Sequence, residues 1–139
     1  MKRVVLVGIG KKSRSDDAAG LEVAAILDGE FETVRIDSDP LDYINTLCGS
    51  DVVVIVKAAD LKTRPGEFKI LEETEIDANL PISTFVNELK RCVRKVTVWG
   101  IQVKSVDPGN SVTPEVNDGI EKLAKTIKGM YGFYMSLRG

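Results

Sequence analysis

Apolar residues along the chain fall into two rhythms. Val4 to Ile9 and Val52 to Val56 are almost unbroken runs rich in β-branched residues, the pattern of parallel strands buried on both faces. Thr33 to Ile36 and Val96 to Val103 read as further strands. Glu67 to Leu71 alternates instead, with Phe68 and Ile70 against Glu67 and Lys69, which predicts a half-exposed antiparallel edge strand after the turn at Pro65-Gly66. Between these runs the spacing is helical. Ser15 can cap a helix reaching about Leu27, with Asp16 and Asp17 in its first turn and Leu21, Ala24, Ala25 and Ile26 inward. Pro40 to Leu47 predicts a short helix ended by Gly49. Pro81 to about Arg91 places Ile82, Phe85, Val86 and Leu89 on one face. Thr113 caps a last helix with Pro114 at its first position and Ile120, Leu123, Ala124 and Ile127 inward. Met130, Phe133, Tyr134 and Leu137 keep the helical spacing, so the helix is expected to continue and pack on the sheet. The alternative use of that strip is contact with a partner or a second copy.

Strands alternating with helices predict one three-layer, doubly wound α/β domain over residues 1–139, with a mostly parallel sheet of about five strands and helices on both faces. In such sheets ligands bind beyond the C-terminal strand ends. Those ends carry the loop Gly10 to Asp17, the residues Lys57 to Asp60 and the segment before Pro81, so any site is expected there.

Composition narrows the chemistry. The chain contains no histidine, which excludes any mechanism needing an imidazole of its own. Its net charge of −2 gives no field for nucleic acid or an anionic membrane, and no stretch approaches the roughly 20 apolar residues of a membrane span. Cys48 and Cys92, the two cysteines, read as reduced, small hydrophobic side chains of a cytoplasmic protein rather than a disulfide framework.

Candidate motifs cluster at the first strand end. Gly8-Ile9-Gly10 half-matches a dinucleotide fingerprint, whose third glycine would fall at Ser13, and no Gly-Lys-Ser/Thr completes a P-loop. The glycines serve equally well in a tight turn. Lys11, Lys12 and Arg14 read as a solvated basic loop, or else as an anion site. Asp16-Asp17 reads as helix-dipole compensation, unless one carboxylate points over the sheet toward Lys57 and Asp60.

In order, these features resemble one family. Gly8-Ile9-Gly10 followed by Asp16-Asp17-Ala18-Ala19-Gly20 is similar to the opening of the hydrogenase maturation endopeptidases. So are Ala58-Ala59-Asp60 with Pro65-Gly66-Glu67, then Leu80-Pro81-Ile82, then Gly100-Ile101-Gln102. The resemblance implies a phosphorylase/hydrolase-like fold. It implies a peptidase that removes a C-terminal tail from the large-subunit precursor of a nickel-iron hydrogenase once nickel is in place; the chain itself is expected to be a monomer or weak dimer. It further implies three metal contacts: the second acid of the pair, here Asp17; an aspartate that is Lys57 here; and a histidine whose place falls near Ala78. The asparagine that follows the glycines in the family is Lys11 here.

One implied ligand of three is thus kept. A protonated lysine cannot coordinate a cation and repels it. The expectation is an ion pair between Lys57 and Asp17 that closes the site, with Asp60 as a remaining second carboxylate and Gly8, Gly10, Asp16 and Ala78 lining the surroundings. Nickel or another divalent metal is then held mainly by the substrate, with Asp17 and Asp60 completing the site, or not at all. Two other functions stay open: a non-catalytic binding or scaffold relative in which Lys57 replaces a metal ligand, and an anion- or nucleotide-binding domain using Gly8 to Arg14.

Overall fold

A computed structural model describes the backbone of residues 2–138 and the side chains of that span except Leu80 and residues 133–138. The strands are β1 (Val4–Ile9), β2 (Glu32–Ile36), β3 (Val52–Ala59), β4 (Phe68–Ile70) and β5 (Lys95–Gln102). The helices are α1 (Ala19–Leu27), α2 (Ile44–Leu47), α3 (Glu73–Asp77), α4 (Leu80–Lys90) and α5 (Pro114–Arg138). The sheet runs β2-β1-β3-β5-β4; the first four strands are parallel, and β4 pairs antiparallel at the edge, as its alternation predicts. Among the described residues no helix is long and apolar enough to cross a membrane.

The aliphatic runs bury both faces because alternate side chains go to opposite layers. Val4, Leu6, Val52, Val54 and Val56 pack with Trp99 and Ile101 beneath α1 and α5. Val5, Val7, Val53, Ile55 and Val98 pack beneath α2, α3 and α4 around Phe85 and Leu89. Lys57 continues the row of Val53 and Ile55, so its stem belongs to the α4 layer. On α1 the buried residues are Ala19, Gly20, Leu21, Val23, Ala24 and Leu27, so Leu21 and Ala24 face inward as expected, whereas Ala25 and Ile26 face solvent.

The start of α1 also departs from expectation. Ser15 has φ +51° and donates its hydroxyl to the Asp107 carbonyl instead of capping, and a 3-10 turn over Ser15–Ala18 precedes the helix proper. α3 has no counterpart in the apolar pattern, because five residues with Ile76 as their one buried side chain are too few to show periodicity. A capping box between Glu72 and Glu75 holds it. In the tail, α5 does continue through Arg138, with Tyr131 buried and Met130 exposed. The packing expected of Phe133, Tyr134 and Leu137 lies outside the described residues.

The reading of Cys48 and Cys92 as reduced thiols is overturned: they form a disulfide, with Cα atoms 5.0 Å apart. Each follows the last turn of a helix, α2 and α4, and those two helices pack side by side under the N-terminal end of the sheet. A hydrogen bond from the Gly49 N–H to the Cys92 carbonyl, 2.9 Å, brings the two ends together.

Candidate functional site

The chain passes from β1 outward to β2, then returns to lay β3 on the other side of β1. This reversal opens a crevice above the C-terminal ends of β1 and β3, where Ile9 and Lys57 are register partners. Three glycines let α1 close on that crest. A Cβ on Gly8 would strike the Gly20 carbonyl, one on Gly10 the Asp17 carbonyl, and one on Gly20 the carbonyls of Val56 and Ile9. The half-matched glycine motif therefore serves close backbone approach, not a phosphate cradle.

A cavity of about 170 Å³ lies in the crevice, lined by Asp17, Lys57, Gly10, Lys11 and Ser38 among apolar walls that include Ile9, Ile36 and Pro81. A second cavity of about 180 Å³ adjoins on the far side of Lys57, with Asp60, Glu75, Ala78 and Asn79 in its wall. Lys57 is the residue common to both.

Asp17 and Lys57 share the first cavity, but no ion pair within 4.0 Å joins them, contrary to the expected contact. The Lys57 ammonium donates to the Ala58 carbonyl at 2.8 Å. One Asp17 carboxylate oxygen, Oδ2, accepts the Lys11 N–H at 3.0 Å. Burial pushes the Lys57 pKa down, and the field of Asp17 partly opposes that. Lys11 itself reaches away, donating to the Asp37 carbonyl at 2.9 Å, while Lys12 and Arg14 are exposed. The loop thus offers solvated charges and a backbone N–H already taken.

Asp60 does not join Asp17. It is exposed, ion-paired to Lys62 at 2.8 Å, and titrates below its ordinary value chiefly because of that hydrogen bond. Ala78 lies in the second cavity, away from Asp17.

Asp16 is also not at the site. It is fully buried and accepts the N–H groups of Lys104 at 2.8 Å, Ser105 at 2.9 Å and Thr113 at 2.6 Å, together with the Thr113 hydroxyl. Burial, the largest single influence, pushes its carboxyl up; the hydrogen bonds together outweigh it, and the group titrates below its ordinary value. Thr113 precedes Pro114 as expected, with its hydroxyl spent on Asp16.

Sequence reasoning missed Gln102 as a builder of the crest. Its buried side chain accepts the Leu61 N–H at 2.5 Å and donates to the Val103 carbonyl at 2.9 Å, so it shapes the turn after β3. A glutamine closing a mostly apolar strand was the available signal. Ser38 carried none, because it lies between elements with no pattern of its own.

The donor set does not fit a divalent cation. One carboxylate faces an ammonium in the cavity, the other candidate carboxylate is turned to Lys62, and the chain has no imidazole. Among the described residues no three His, Cys, Asp or Glu side chains stand close enough together to hold a metal ion.

Fold and crest define a doubly wound α/β protein with its cleft at the strand-order reversal, and comparison with known proteins gives that class a family. A hydrogenase maturation protease (HycI) profile matches residues 36–130, more than half of the chain. The hydrogenase 3 maturation protease of Escherichia coli K12 is 26% identical over 141 residues, covering 92% of this chain and 90% of its own. The solution structure of the endopeptidase HycI from Escherichia coli superposes with a TM-score of 0.78 at 24% identity, covering 91% of this chain and 90% of that one. The [NiFe] hydrogenase maturation protease HybD from Thermococcus kodakarensis gives 0.74 at 24% identity, covering 92% and 98%. The chain belongs to the hydrogenase maturation protease family.

Proposed function

We propose that this protein acts on the large-subunit precursor of a hydrogenase, taking its C-terminal tail into the crevice above β1 and β3 and releasing it by peptide hydrolysis. The observation that carries this reading is the family match over residues 36–130, joined to a cleft at the strand-order reversal that Asp17 still faces. Nickel enters this reading as part of the substrate, because Asp17 is the one carboxylate of the cavity and Lys57 shares that cavity. A cytoplasmic setting belongs to the same reading; the Cys48–Cys92 bridge stands against a strongly reducing one, and non-reducing electrophoresis of protein taken directly from cells decides the point.

The test is direct. The purified chain is incubated with nickel-loaded large-subunit precursor, and the precursor mass is followed. Loss of a C-terminal fragment, slowed at least tenfold by Asp17→Ala, is the expected outcome. A stable complex whose tail stays intact would instead establish a binding relative without catalysis.

A further inference from the structure

Lys57 stands where the family resemblance puts a metal-binding carboxylate, and the structure shows what the replacement builds. Its stem follows Val53 and Ile55 along the α4 face, so the ammonium is delivered to the crest between two cavities. An ammonium carries three donors. Among the described residues, its one hydrogen bond goes to the Ala58 carbonyl. The nearest available counter-charge, Asp17, lies beyond 4.0 Å and has Oδ2 engaged by Lys11. No second protein acceptor among the described residues takes a hydrogen bond from the ammonium, and Lys57 lines both cavities. The walls of the cavity that Lys57 shares with Asp17 are mostly apolar, which strengthens any charged hydrogen bond made there.

From this geometry we infer that the Lys57 cavity is a carboxylate-binding pocket that receives an acidic group of a polypeptide substrate. A carboxylate fits on two further grounds. About 170 Å³ admits a small planar group on an amino-acid stem. Asp17 in the same wall penalises a dianion such as phosphate more than a monoanion. The Ser38 hydroxyl, also in the wall, offers another donor. The carboxylate comes either from an Asp or Glu side chain or from a chain terminus. The identity of the polypeptide rests on the proposed function above; the chemistry of the pocket does not.

The experiment is calorimetric titration of the full chain with three N-acetylated hexapeptides of otherwise equal sequence. One carries Glu and a C-terminal amide, one Gln and a free C-terminus, and one Gln and an amide. Nickel chloride is titrated separately. At least one acidic peptide is expected to bind tenfold or more tightly than the neutral one, and which of the two does so identifies the source of the carboxylate. Lys57→Met is expected to erase that preference, with Lys57→Gln as the second variant should the first fail to fold. Nickel alone is expected not to bind the native chain. Equal binding of all three peptides, a preference surviving in the folded Lys57 variants, or nickel binding that Asp17→Ala abolishes would each overturn the inference. Tail removal from the precursor without acidic preference would sink the pocket and leave the hydrogenase reading standing. Acidic preference without any recognition of the precursor would do the reverse.

Discussion

Asp16 and Asp17 are neighbours with opposite employment. Asp16 is sealed under the segment that leads into α5 and holds three backbone N–H groups of it. Asp16→Asn keeps the shape but turns one acceptor into a donor facing donors, so a loss of about 2–4 kcal/mol is expected in urea unfolding at neutral pH. Because the folded state holds this carboxyl below its ordinary value, its contribution is fully present above about pH 3.9 and disappears as pH falls through the lower folded-state value. The native chain should therefore lose stability on that acid limb, and Asp16→Asn should flatten it. The acidic pair itself is legible in the sequence, but the division of labour is not. The partners of Asp16 lie 88 to 97 positions away, and nothing local marks them. Lys57 was legible as a change of charge at a strand end. That it turns to the Ala58 carbonyl rather than to Asp17 depends on side-chain direction, which spacing does not encode.

At the scale of the elements, β1 and β3 were legible because each is an aliphatic run whose alternate residues fill two separate cores, and β4 because its alternation marks a half-exposed edge. Helix α4 was legible from one apolar stripe, since Ile82, Phe85, Val86 and Leu89 are all buried. Helix α1 is legible in its position and in the inward Leu21 and Ala24, but not at Ala25 and Ile26, where the apolar pattern runs on to the solvent face. Its seat on the sheet depends on Gly20, whose missing Cβ lets the helix rest on the carbonyls of Val56 and Ile9. Gly20→Ala puts a methyl group against two backbone oxygens that cannot step aside. It should cost about 2 kcal/mol or more, against the gain of a few tenths to 1 kcal/mol that alanine brings to an unconstrained helix. Chemical denaturation separates the two outcomes by sign.

Over the whole molecule, stability and the cleft occupy opposite ends of the sheet. The Cys48–Cys92 bridge ties α2 to α4 near the N-terminal strand ends, while Asp17 and Lys57 line the crest at the other. The double variant Cys48→Ser/Cys92→Ser, or reduction of the native chain, should lower unfolding stability by about 3–4 kcal/mol for a loop of this length. Peptide binding at the crest should stay within twofold. The sequence could not announce the pairing, since two cysteines separated by 44 positions have no spacing signature, and only the packing of α2 against α4 makes them neighbours. The same bridge turns the stretch from Cys48 to Cys92 into a closed ring that contains all of β3 and β4 together with the exposed turn at Lys62 to Pro65. A single tryptic cut after Lys62 opens that ring without separating its ends. The nicked protein should run as one species on a non-reducing gel and fall into two fragments only when thiol is added, so a severed backbone need not mean a severed molecule.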